Sequence, residues 1–185
     1  MRSFITALLL AGAALAAPAN PETTKPQTCT SRSTKVRDWK VEDFDYHASY
    51  VFSTPAHQNS WGYVNFTLVN PVLHYKTVCQ AASSQLQDFF YGQVVYKCTT
   101  PNGYGDEATF TFSRPSGELK INQTWYCPNE GSHFEAHGGV HLDLKCNESK
   151  WQNDHWKIGQ IYSTRNIDCA HVDVQAKVTE MSGVA

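Results

Sequence analysis

The sequence predicts an all-β sandwich or barrel, and three observations carry that expectation. Apolar and polar residues alternate along many short segments, with turn-rich stretches between them about every 8–12 residues. One short stretch alone reads as helix. Six cysteines follow an N-terminus with the order of a secretory leader, so the fold is expected to be held by sulfur in an oxidising medium.

The leader reads as Arg2, the apolar run Phe4 to Leu10, and small residues ending Ala14-Leu15-Ala16. Pro18 obstructs a cut after Ala17, so the cut is placed after Ala16. The expected organisation is a signal peptide over 1–16, a flexible arm over 17–35 and a single β domain over 36–180. The arm is rich in Pro, Asn, Thr, Ser and Lys and is tied down only at Cys29. Removing 16 of 185 residues leaves 169, enough for one sizeable core. No segment is apolar over the length a membrane helix needs.

The first strand region puts Trp39 and Val41 on one parity and Phe44, Tyr46, Ala48, Tyr50 and Phe52 on the other. That switch predicts a bulge or corner between Val41 and Phe44. After the polar turn Pro55 to Ser60 comes Trp61 to Val69. If the sequon residue Asn65 faces solvent, Trp61, Tyr63 and Thr67 face out with it, and Val64, Phe66 and Leu68 face the core. Leu73 to Cys79 and Gln93 to Cys98 are strand candidates. Between them Ser84 to Gly92 carries a capping serine, Gln87 three residues on and a terminating glycine, which predicts one or two helical turns. Ala108, Phe110 and Phe112 alternate, as do Leu119, Ile121, Gln123 and Trp125 against Lys120, Asn122 and Thr124. Phe134 and Ala136 share parity with Val140, Leu142 and Leu144, with a bend or bulge expected at Gly138-Gly139. Trp156 to Thr164 and Asn166 to Val178 complete the series.

Charge excludes one class of partner. Fifteen Lys+Arg stand against 17 Asp+Glu, and losing Arg2 moves the formal charge from −2 to −3. No basic block tracks phosphates, so nucleic acid is not an expected partner. Three sequons, at Asn65, Asn122 and Asn147, suggest glycosylation on a eukaryotic export route.

Several constellations bear on chemistry. His133, His137 and His141 recur every four residues, the spacing that puts imidazoles on one helix face for zinc. In a strand the outer members lie far apart, so they read as surface histidines, with a metal or pH-responsive patch including Glu135 and Asp143 as the alternative. His47, His57 and His74 are scattered. Asp154-His155 and His171-Val172-Asp173 could form carboxylate–imidazole pairs, but no nucleophile accompanies them, and no Gly-x-Ser-x-Gly elbow occurs. If all cysteines pair, none serves as a thiolate. Glu42, Asp43, Asp45 and Asp106-Glu107 are the candidates for paired glycosidase carboxylates. Trp61 and Tyr63, as outward aromatics, and Trp151 and Trp156, flanking a polar loop, could stack on sugars or anchor a partner. The tryptophans around that loop could equally tuck beneath it.

The ordered set Cys29, Trp39-Lys40-Val41-Glu42-Asp43-Phe44, Thr77-Val78-Cys79, Gln85-Leu86-Gln87-Asp88 to Tyr96-Lys97-Cys98, Phe110-Thr111-Phe112, Gly117-Glu118-Leu119, Cys146 and Cys169 resembles the Alternaria major-allergen family of fungal secreted proteins. The likeness runs over roughly residues 29–178. It implies a compact antiparallel β-barrel with no established enzymatic activity, found among allergens, elicitors and effectors acting outside the cell. It also implies the bridges Cys79–Cys98 and Cys146–Cys169, leaving Cys29 with Cys127. In the allergen itself the N-terminal cysteine joins two subunits, whereas here Cys127 offers it an internal mate, which favours a monomer. Together these readings describe a secreted, non-enzymatic protein that binds host or cell-wall components, with no cofactor, metal or catalytic residue assigned. The alternatives are a small extracellular enzyme acting on polysaccharide through paired carboxylates, and a wall protein without a discrete ligand.

Overall fold

The computed structural model describes residues 27–84, 89–101 and 105–184. A short helix α1 (Cys29–Ser33) precedes ten strands: β1 (Asp38–Thr54), β2 (His57–Val69), β3 (Thr77–Ser83), β4 (Tyr96–Lys97), β5 (Glu107–Ser113), β6 (Glu118–Cys127), β7 (Ser132–His141), β8 (Cys146–Gln152), β9 (Ser163–Cys169) and β10 (Val172–Val184). All pairings are antiparallel, in the order β3-β2-β1-β10-β7-β6-β5-β4. The ends of this series meet: Val78 and Thr99 exchange N–H···O bonds of 3.1 and 2.7 Å, and the Cys79–Cys98 disulfide lies beside them. The result is a nearly closed eight-stranded antiparallel barrel, which removes the exposed strand edges of an open sheet.

β1 is the spine. Its first part pairs β10 from Asp38 to Phe44, and its later part pairs β9 from His47 to Phe52, while β2 runs along its other edge. The β8–β9 hairpin is therefore appended to the far half of β1, outside the eight-strand series. The parity switch expected between Val41 and Phe44 is a bulge, with register shifts against both β10 and β2.

Alternation decides the core. Trp39, Val41, Phe44 and Tyr46 from β1, Val64, Phe66 and Leu68 from β2, Phe110 and Phe112 from β5, and Leu119, Ile121 and Trp125 from β6 are sealed from solvent. Their rings interlock: Phe44 meets Phe66 at 5.6 Å and Phe112 at 5.1 Å, and Phe66 meets Phe110 at 5.0 Å between centroids. Each such buried side chain contributes about 1.5–3 kcal/mol of transfer free energy. Gln123 shares their parity and is equally buried. Its Oε1 accepts from Trp39 Nε1 at 2.8 Å and from Asn70 Nδ2 at 2.9 Å, so a polar group sits in an apolar wall without a desolvation penalty left open.

Four expectations change on meeting the structure. First, the flexible arm ends earlier than Val36: residues 29–33 form α1, seated against the barrel. The Cys29–Cys127 disulfide anchors it, the Glu130 carboxylate accepts from the Cys29 and Thr30 N–H groups at 2.9 Å each, and Trp125 Nε1 donates to the buried Ser33 hydroxyl at 2.9 Å. The arm over 17–26 lies outside the described residues. Second, β7 itself carries no bulge at Gly138-Gly139. Its pairing with β6 and β10 continues through them, and the register shift falls in β10 between Val178 and Glu180, opposite Gly138 and His137. A Cβ on Gly138 would stand 1.9 Å from the Lys177 carbonyl oxygen, and one on Gly139 2.2 Å from that of Leu119, so the glycines permit close backbone approach on both edges. Third, Trp156 to Thr164 is mostly the β8–β9 loop, and the strand opposite β9 is Cys146–Gln152. Fourth, the stretches Leu73 to Cys79 and Gln93 to Cys98 give a β3 starting only at Thr77 and a two-residue β4. Of the helical turn expected over Ser84–Gly92, 85–88 lie outside the described residues; the described part, Ser84 and 89–92, is not helical, and Tyr91 there forms a β-bridge with Ser113.

The third bridge, Cys146–Cys169, ties the base of the hairpin. Two of the pairs are those the family resemblance implies, Cys29–Cys127 is the pair it leaves over, and no described cysteine is free.

Candidate functional site

The bulge in β1 sets up a cluster of charged and titratable side chains on the surface. Asp43 takes a left-handed conformation, φ 55°, which Asp tolerates better than most residues. Its N–H donates to Asp173 Oδ1 at 2.8 Å. Beyond the bulge Phe44 and Tyr46 turn inward, so Asp45 and His47 turn outward, beside Asn65 and Tyr63 of β2. β9 brings Asp168 opposite His47, and the β9–β10 connection carries His171.

These five side chains form a chain of alternating carboxylates and imidazoles. Asp168 Oδ1 lies 2.7 Å from His47 Nδ1. His47 Nε2 lies 2.7 Å and His171 Nε2 3.3 Å from Asp45 Oδ1. His171 Nδ1 lies 2.7 Å from Asp43 Oδ1. Asp45 is the inner member, with 14% of its side chain exposed. The His171 pKa is raised, first by its hydrogen bond to Asp43 and then by the charge of Asp45. Tyr63 stacks on His47 at 4.9 Å. Next to the chain, Glu42 is held below the usual carboxylate range by Lys76 at 2.6 Å and Lys40 at 2.9 Å, and Lys40 also reaches Asp173 at 3.4 Å. Among the described residues, Asp45, His47 and His171 form the one group of three potential metal ligands, with ligand atoms all within 4.8 Å of one another.

The aromatic candidates continue along the same outer face. Lateral neighbours run Asn147–Asp168–His47–Tyr63, then Ser149–Asn166–Ser49–Trp61, then Trp151–Thr164–Val51–Asn59. Trp61 and Trp151 are each 52% exposed. Trp156 does not join them. Its Nε1 donates to the Gln160 carbonyl at 2.8 Å and its ring meets Tyr162 edge-on, so it braces the β8–β9 loop. That loop presents Ile158, 92% exposed, and Ile161.

The other candidates separate. His133, His137 and His141 lie along β7: His133 stacks on Tyr126, and His137 contacts Asn122 at 2.8 Å and Glu135 at 3.3 Å. His171 and Asp173 are not partners of each other; both reach back to Asp43. Asp154 and His155 lie exposed in the hairpin loop. Asp106 is buried and accepts from Tyr75 Oη and, at 2.9 Å, from the Tyr126 N–H, so it fastens a turn to β6. Of the sequon residues, Asn122 and Asn147 are exposed and Asn65 is half-buried. Sequence reasoning had Asp43, Asp45, His47 and His171 in view, but neither Asp168 nor the chain itself. The bulge was the available signal, because it predicts that Asp45 and His47 face out together.

A search of curated proteins and a search of solved structures return no match. The family model described as Alternaria alternata allergen 1 matches residues 41–169, well over half of the sequence. That span runs from the last residue before the β1 bulge to the end of β9, and so includes most of the spine, every other barrel strand except β10, and the hairpin. The chain belongs to the Alternaria alternata allergen 1 family.

Proposed function

We propose that this protein is exported and acts outside the cell as a non-enzymatic binding protein of the allergen and elicitor type, engaging a host or cell-wall component through the outer face of β8, β9, β1 and β2. The observation that carries the reading is the pair Trp61 and Trp151. Both stand half-exposed on one continuous face, three strand spacings across and two residues along the strands, or about 16 Å apart. Exposed tryptophan is a costly surface residue unless it contacts something, and it is the residue type most enriched among binding anchors. Ile158 and Ile161 extend the apolar character to the hairpin tip.

Further features support parts of this reading. Three disulfides suit an oxidising compartment. With Cys29 bonded internally to Cys127, a covalent dimer through Cys29 has no thiol to use, and the protein acts as a monomer. Glycans on Asn65 and Asn147 would border the binding face, and one on Asn122 would lie on the far wall. Four of the five carboxylates considered for polysaccharide cleavage are engaged elsewhere: Glu42 by two lysines, Asp43 and Asp45 by imidazoles, and Asp106 by Tyr75 and the Tyr126 N–H.

The test is capture from plant apoplastic fluid and from isolated wall polysaccharide, using the native protein, a W61A/W151A variant and a heat-denatured control. The expected result is specific capture by the native protein that falls at least about tenfold in the double variant. Equal capture by all three would end the proposal.

A further inference from the structure

The Asp168–His47–Asp45–His171–Asp43 chain has a feature that neutral imidazoles do not satisfy. A carboxylate can only accept, so the Nδ1 atoms facing Asp168 and Asp43 carry the protons. In a neutral imidazole that leaves Nε2 with a lone pair. Both Nε2 atoms then face Asp45 Oδ1, itself an acceptor, at 2.7 and 3.3 Å. Three electron-rich atoms crowd one point. Asp45 Oδ1 is cut off from solvent and no aligned hydrogen-bond donor reaches it, so water does not relieve the repulsion. Nearby ammonium groups are already taken, Lys76 by Glu42 and Lys40 by Glu42 and Asp173. Such a point is stable only with positive charge in it, supplied by protons on the Nε2 atoms or by a cation that displaces them.

We infer that His47 Nε2, His171 Nε2 and Asp45 Oδ1 form a binding site for a divalent first-row transition metal, zinc being the probe of choice. Two imidazoles and one carboxylate are a donor set that suits zinc, copper and nickel rather than calcium or magnesium. Zinc bonds of about 2.0–2.2 Å place tetrahedral ligand atoms about 3.3 Å apart. The His171–Asp45 distance already has that value, and the His47–Asp45 pair needs to open by a few tenths of an ångström. Asp168 and Asp43 hold the two rings by their Nδ1–H groups, the outer support that orients histidine ligands and raises their basicity. Three protein ligands leave a fourth position open to water or to a donor from another molecule. The site joins residues from β1 and from the β9–β10 connection, so an occupied site clamps the hairpin base to the spine. None of its ligands belongs to the tryptophan pair.

The test uses the full secreted protein after chelator treatment, titrated with zinc chloride at neutral pH by calorimetry and by thermal unfolding. Wild type is expected to take up one zinc saturably and to unfold at a higher temperature with zinc, since the metal binds the folded form. H171Q should weaken binding at least about a hundredfold, and D43N, which removes only an orienting carboxylate, about 10–100-fold. H133Q and W61A/W151A should bind as wild type. His171 lies exposed in a connection, so H171Q tests the ligand without disturbing a wall strand; near-ultraviolet circular dichroism checks that the barrel is intact. No saturable uptake by wild type, or equal uptake by wild type and H171Q, overturns the inference.

Discussion

The barrel wall and the β8–β9 hairpin are both antiparallel strands closed by a disulfide, yet they differ in what lies behind them. Along β6 burial alternates cleanly, Leu119, Ile121, Gln123 and Trp125 inside and their neighbours outside. Along β8 exposure continues on both faces after Cys146. The wall is sealed on one side by a core, so each of its positions has a fixed duty. The hairpin is held by its base and by the spine through β9, and most of its side chains remain available. Under the proposed function the difference separates stability from recognition: the wall carries the first, and the hairpin and the face it extends would carry the second.

Disulfide removal should widen that contrast most. Cys29–Cys127 closes 98 residues and Cys146–Cys169 closes 23. Chain entropy assigns the first about 4.7 kcal/mol and the second about 3.4 kcal/mol. The C29S/C127S variant is therefore expected to lose more stability in urea than C146S/C169S, and it also frees α1. Equal losses would mean that α1 contributes nothing to the wall.

The same substitution placed in each region gives the next largest contrast. Gly138→Ala drives a methyl group into the Lys177 carbonyl oxygen, and neither neighbouring strand can retreat without breaking its ladder, so a loss of about 3 kcal/mol is expected. Gly159, in the hairpin loop, has φ +93°, and a methyl group there would meet nothing within 4 Å. Gly159→Ala therefore costs only backbone strain, about 1 kcal/mol. Urea denaturation of both variants measures the pair.

Acid offers a third comparison, because each region holds one strongly acidic glutamate. The pKa of Glu130 is lowered to about 2 by the Thr30 hydroxyl and then the Thr30 N–H. That of Glu148 is lowered to about 2 by Arg165 and then Lys150. A depressed carboxylate stabilises the fold above its unfolded pKa, near 4.5, and that contribution disappears as pH falls from there toward 2. Both groups are solvent-facing, so salt screens them and the effects are small. Thermal scans from pH 5 to pH 2 should show E130Q flattening the acid loss of the whole barrel. E148Q should flatten it less, because its carboxylate joins only β8 to β9.

What could be read from the sequence divides along the same line. In the wall, one buried face imposes a period of two, and that period was visible: Asn65 on the outer parity marked Val64, Phe66 and Leu68 as core, and the Val41–Phe44 switch located the bulge. Gln123 was placed on the apolar side correctly, but its partners Trp39 and Asn70 are tertiary. β8 was not legible, because Cys-Asn-Glu-Ser-Lys-Trp-Gln has no apolar parity to read when both faces meet water. α1 was not legible either: five residues hold a helix only because Glu130, Trp125 and Cys127 receive them. The histidines show the limit most plainly. The regularly spaced His133, His137 and His141 stay apart, whereas His47 and His171, distant in sequence, meet Asp45 at the bulge.

The smallest expected effect on stability is also the sharpest test of the division. Trp151 leaves about half of its surface to solvent from β8, and its lateral neighbour on the outer face is Thr164, a small side chain. Trp151→Ala removes a side chain that the fold only half buries, so it should cost about 1 kcal/mol or less in urea. Trp125→Ala removes the same side chain from inside the wall, where it stacks on Phe134 at 5.6 Å and donates to Ser33, and should cost about 3–5 kcal/mol. If Trp151→Ala proved as damaging as Trp125→Ala, the hairpin would be part of the core, and its tryptophan would be explained by packing rather than by a partner.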